Sequence, residues 1–141
     1  MIEDPHRPSL RNILTLDAAT CTGMGLLLVL AAGPVARLTQ IPSGLLFWAG
    51  LLLLPVAAFM ALVARAVPPP GWAVAVIVAA NLLWVAASLI LPGAGVFAPS
   101  ALGWVCILAQ AAGVALFSWL EWSARPAAIA KIRRRPERPR P

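Results

Sequence analysis

The chain has 141 residues, of which 61% are hydrophobic and 11% charged, against about 25% charged in a typical soluble domain. This composition excludes a disordered chain, argues against a water-soluble enzyme and matches a protein solvated by lipid. The net charge of +6 resides in the tail, where Arg125, Lys131, Arg133, Arg134, Arg135, Arg138 and Arg140 oppose only Glu137, while four arginines balance four acids before it.

No charged side chain occurs from Ala18 to Ala36, from Leu38 to Ala64 or from Ala66 to Leu120. A soluble helical bundle needs a polar face on every surface helix, and tracts this long supply none. Crossing a hydrocarbon core takes about 20 apolar residues. Four segments qualify in chain order, at about 13–36, 43–64, 71–91 and 100–122, so the expected fold is all-α: a four-helix transmembrane bundle of two in–out–in hairpins. It is preceded by a cytoplasmic segment, 1–12, and followed by a basic Pro/Arg-rich cytoplasmic tail, 123–141.

Local chemistry sets the breaks. Pro34 marks the end of the first span. Pro42-Ser43 and Pro99-Ser100 precede the second and fourth spans, with each serine expected as an N-cap. Pro68-Pro69-Pro70-Gly71 forces a tight return, and Pro92-Gly93-Ala94-Gly95 ends the third span. Pro55 lies inside the second span, where a kink is expected and neighbouring helices can accommodate it.

The excess of positive charge predicts orientation. With both termini cytoplasmic, Arg7, Arg11, Arg65 and the whole tail lie inside and only Arg37 outside. The expected location is a bacterial inner membrane. A competing expectation is a cleaved signal peptide, since Arg7 and Arg11 precede an apolar stretch ending in small residues. That stretch is longer than a typical h-region and contains Asp17. Trp72, Trp119 and Trp122 are expected at the inner interface and Trp104 near the outer one, with Trp84 packed inside. Leu27–Ala32 can be laid on Leu83–Ser88, and Pro42–Leu45 on Pro99–Leu102, but apolar letters match by chance and the alignment is read that way.

Polar side chains within spans are costly and need partners. Asp17, Thr20, Cys21 and Met24 share a face of the first span. Asn81, Trp84 and Ser88 share one in the third, and Gly103, Cys106, Gln110, Gly113, Phe117 and Glu121 one in the fourth. These stripes are expected to face inward, with an Asn81–Gln110 hydrogen bond near the midplane. Asp17 and Glu121 lie near the cytoplasmic ends of their spans and could face each other, so that one would carry a proton. The structural alternatives are Asp17 on a helix dipole and a Glu121–Arg125 pair one turn apart. The candidate intramembrane polar site is therefore Asp17, Asn81, Gln110 and Glu121, serving either as glue between helices or as a small-ligand or proton site.

Cys21 and Cys106 fall at different depths, beyond disulfide reach. His6 is the lone histidine, and no metal-ligand cluster, phosphate loop or nucleophile–base pair is present. No enzymatic chemistry and no cofactor are expected. Lys131, Arg133, Arg134 and Arg135 are expected to contact anionic lipid headgroups, with prolines keeping the tail extended. Aromatic interleaving suited to nucleic acid is absent. Beyond the bilayer, the expected contacts are a membrane-protein partner or a second copy.

Leu16-Asp17-Ala18-Ala19-Thr20-Cys21, Asn81–Ser88 and Gln110-Ala111-Ala112 resemble segments of uncharacterised four-span proteins of bacterial inner membranes. The resemblance covers the spans but not the tail, and implies no known activity. In length and span number the chain also resembles small multidrug transporters, in which a first-helix carboxylate is functional. Their glutamate and its surrounding motif are absent here, and Asp17 is only a loose analogue. The sequence leaves two functional classes open. One is a structural or accessory membrane component; the other is a small proton- or ligand-coupled transporter.

Overall fold

The computed structural model describes residues 9–133, with side chains over 9–125. Five helices follow in order: α1 (Leu10–Leu30), α2 (Ala32–Thr39), α3 (Ser43–Arg65), α4 (Gly71–Gly93) and α5 (Ala101–Arg133). Four of them, α1, α3, α4 and α5, are long and apolar enough to span a bilayer. The protein is thus an all-helical, multi-pass integral membrane protein.

The first span ends earlier than its sequence suggests. Pro34 lacks the N–H that would bond the Leu30 carbonyl, and its ring would crowd that carbonyl. The chain therefore breaks at Ala31 (φ −122°, ψ 24°) and restarts as α2. In the first turn of a helix the missing N–H costs nothing, because those donors have no intrahelical partner. Pro34 begins a second helix rather than closing the first. α2 ends at Gln40, in the left-handed conformation with φ 58°.

α1 begins three residues before expectation, at Leu10, and the other boundaries fall within a residue or two, except that α5 continues through Pro126 to Arg133. Proline removes one backbone donor, and the Ala-rich segment after it favours the helix. The expected extended tail is thus helical at its start, and Arg134 and Arg135 lie outside the described residues. Ser43 does not cap α3: Pro42 holds the N-cap position and no side chain bonds the first turn.

Packing centres on α1. Its inner face (Leu10, Leu14, Ala18, Cys21, Leu28) runs antiparallel along α3 (Val63, Met60, Ala57, Leu53, Leu46), and all ten side chains are buried. Where the two helices come closest, Gly25 faces Gly50. A Cβ on Gly50 would stand 2.8 Å from the Gly25 carbonyl oxygen. Such small residues let spans approach in lipid, where dispersion and not hydrophobicity drives association. α5 packs on both α1 and α4, while α3 and α4 touch little. Between them lies an apolar groove of about 350 Å³ lined by Leu52, Val56, Phe59, Val76 and Ala80 among others.

The outward faces are apolar: Leu30, Trp48, Leu83 and Val105 are all more than half exposed. In lipid these surfaces meet acyl chains. Hydroxyls on the spans are satisfied locally, as where Thr20 donates to the Leu16 carbonyl at 2.9 Å and Thr22 to Ala18 at 2.7 Å. No water is needed to solvate them.

Candidate functional site

The polar side chains of the bundle form two clusters. The first joins α1, α4 and α5. Asp17 lies eight residues into α1, about 10 Å along the axis from its start at ~1.5 Å per residue. It is 1% exposed. Asn81 of α4 donates from Nδ2 to Asp17 Oδ2 at 2.9 Å, and the Cys21 thiol, one turn on, lies 3.7 Å from Oδ1. Glu121 of α5 is fully buried and its carboxyl faces that of Asp17. Neither Glu121 oxygen receives a hydrogen bond from any described group.

The second cluster lies further along α4 and α5. Trp84 Nε1 donates to Gln110 Oε1 at 2.8 Å, and Gln110 Nε2 donates to Ser88 Oγ at 3.0 Å. Ser88 completes the chain by donating to the Trp84 carbonyl at 2.8 Å. Each polar atom of the Gln110 amide thus has a partner.

Of the four candidate residues, the structure brings Asp17, Asn81 and Glu121 together and leaves Gln110 apart. Asn81 and Gln110 do not bond. A hydrogen bond to a carboxylate is roughly twice as strong as one between amides, and Asn81 takes it. Gln110 pairs instead with Trp84, three residues along the same face of α4. Sequence spacing identified the polar face but not which member would meet which.

Three other expectations are corrected. Asp17 does not lie in the first turn of its helix, because α1 starts at Leu10 and not Ile13; the dipole account of its charge falls away. Arg125 does not pair with Glu121: its guanidinium stacks 4.4 Å above the Trp122 ring. Cys106 faces outward while Cys21 is buried, and both are free thiols. Thr20 and Met24 also face outward. The inward stripe of α5 is Gly103, Ile107, Ala111, Ser118 and Glu121.

Ser100 makes the expected cap and a second set of contacts that spacing did not reveal. Ser100 caps α5, accepting from the Gly103 amide at 3.1 Å. It also closes the end of α2, its N–H donating to the Thr39 carbonyl at 2.8 Å and its hydroxyl to the Leu38 carbonyl at 2.9 Å. The Pro99-Ser100 signal predicted the cap alone, since α2 was not anticipated.

Two surface depressions lie among the described residues, and neither is lined by the residues of these clusters. One is the apolar groove between α3 and α4; the other is a shallow face of α1 around Arg11, Asn12 and Thr15. Among the described residues no group of three or more His, Cys, Asp or Glu side chains is arranged to hold a metal ion. No family model, curated protein or solved structure matches the chain.

Proposed function

We propose that this integral membrane protein is a structural or accessory component of a bacterial inner membrane, without enzymatic activity of its own. One observation carries this reading: bonds between interior polar side chains cross from span to span, and neither depression described above opens onto them. Asp17 with Asn81 and Trp84 with Gln110 tie helices together. A substrate path would need polar groups presented to an opening, whereas Asp17, Asn81 and Glu121 are buried.

Both termini are assigned to the cytoplasm. Arg11, Arg65 and Arg125 belong to the end of the bundle where α1 and α4 begin, and Arg37 to the other, in the sense that the positive-inside rule favours. Lys131, Arg133, Arg134 and Arg135 then extend into an anionic headgroup region, each worth about 1 kcal/mol near the surface. A reporter fused after Pro141 should be active in the cytoplasm and silent in the periplasm.

The second reading, a proton- or ligand-coupled transporter using Asp17, Asn81, Gln110 and Glu121, is favoured by the Glu121 carboxyl without a donor. Two measurements separate the classes. An accessory component retains a membrane-protein partner or a second copy through purification in mild detergent, and drives no proton-coupled flux in liposomes. A chain that purifies as a monomer and drives flux abolished by Asp17→Asn or Glu121→Gln is a transporter.

A further inference from the structure

Charge does not balance at the junction of α1, α4 and α5. Asp17 and Glu121, at 1% and 0% exposure, bring their carboxyl groups within hydrogen-bonding reach of each other. From α1 there is the Cys21 thiol, 3.7 Å from Asp17 Oδ1; from α4 there is the Asn81 amide, 2.9 Å from Oδ2. On α5, buried Ser118 spends its hydroxyl on the Val114 carbonyl at 3.0 Å, and Arg125 stacks on Trp122. No described lysine, arginine or histidine reaches either carboxyl, and both Glu121 oxygens are without a donor. Two adjacent anions in a low-dielectric interior repel, and neither has a counter-charge.

We propose that Asp17 and Glu121 form a proton-binding site inside the bundle, one proton being held between the two carboxyl groups while Asn81 fixes the orientation of Asp17. A single proton turns one of two facing acceptors into a donor. It supplies the hydrogen bond that Glu121 otherwise lacks and halves the buried charge. The occupant is one that needs no cavity, as the closed packing around the pair requires. No transport is implied: a proton can be held without being moved, so absence of flux leaves the site intact.

The test uses the full chain in liposomes at neutral pH, where carboxyl groups in water are ionised. Infrared spectra should show the carbonyl stretch of one protonated carboxyl per chain, lost in the Asp17→Asn/Glu121→Gln double variant, whose amides preserve shape. A second measurement needs no substitution. Dicyclohexylcarbodiimide adds a carboxylic O–H across its C=N bond with no leaving group, and should label one residue per chain, Asp17 or Glu121. Sodium ions at constant pH should leave the yield unchanged. The proposal is overturned by absence of both band and adduct, by a band that survives the double substitution, or by adducts on both residues of one chain. Severalfold suppression by sodium would also overturn it, since the occupant would then be a metal cation.

Discussion

Gly50 lies against Gly25 so closely that a Cβ on Gly50 would stand 2.8 Å from the Gly25 carbonyl oxygen and 2.8 Å from Leu28 Cβ. One of these atoms belongs to the backbone and the other to the root of a side chain, so neither can move aside cheaply. Replacing Gly50 by Ala or Leu should therefore force α1 and α3 apart, at a cost of about 1–3 kcal/mol, the usual range for overpacking. Gly113→Ala, where nothing lies within 4 Å, should be neutral. Thermal unfolding of the variants in one detergent distinguishes them. Equal stability of Gly50→Leu and the parent would contradict the close approach.

Ser100 serves two helix ends at once. Ser100→Ala removes the Gly103 cap and the bond to the Leu38 carbonyl together. The expected loss is about 1–2 kcal/mol, the upper part of the range for an N-cap. Hydrogen exchange at the Gly103 amide should accelerate by roughly tenfold, since each 1.4 kcal/mol is a factor of ten. Gly103→Ala should be worse, because its Cβ would collide with the Thr39 carbonyl. Unchanged exchange in Ser100→Ala would show that the Ser100 hydroxyl does not cap α5.

Asn81 and Gln110 should not be equivalent. Asn81→Leu strips Asp17 of its amide donor and leaves a buried carboxyl less satisfied, at about 1–3 kcal/mol. Gln110→Leu leaves the Trp84 indole N–H and the Ser88 hydroxyl short of partners on a part-buried face. Bonds of that kind between spans average about 0.6 kcal/mol. The expected order is Asn81→Leu more damaging than Gln110→Leu, read from unfolding in detergent. The reverse order would mean that the Asp17 contact contributes little.

The Trp84–Gln110 bond has its own spectroscopic handle. In a variant retaining Trp84 as the single tryptophan, Gln110→Leu should shift the indole N–H vibration toward the unbonded position. The same substitution with Trp104 as the single tryptophan should shift nothing, since no bond is formed by that indole among the described residues. An unmoved Trp84 signal would break the second cluster.

Much of the fold could be read from composition alone. Charge-free tracts and proline punctuation locate four spans because lipid imposes a length and an apolar requirement on each helix. The α1–α2 break was less legible. Pro34 can end a helix or sit in the first turn of a new one, and only the packing of Thr39 against Ser100 and Gly103 distinguishes the two. The polar site was half legible: depth and spacing put Asp17 and Glu121 on facing helices near one end. Spacing could not say which of Asn81, Trp84 and Ser88 would meet which partner, because the rotation of helices in lipid is set by close packing as well as by their polar stripes.

All of these expectations require that α1, α3, α4 and α5 cross a bilayer. The most direct measurement is fractionation of native membranes after an alkaline carbonate wash. The account predicts that the full-length chain stays in the pellet and is released only by detergent. Recovery of the intact chain in the aqueous supernatant after high-speed centrifugation would contradict it.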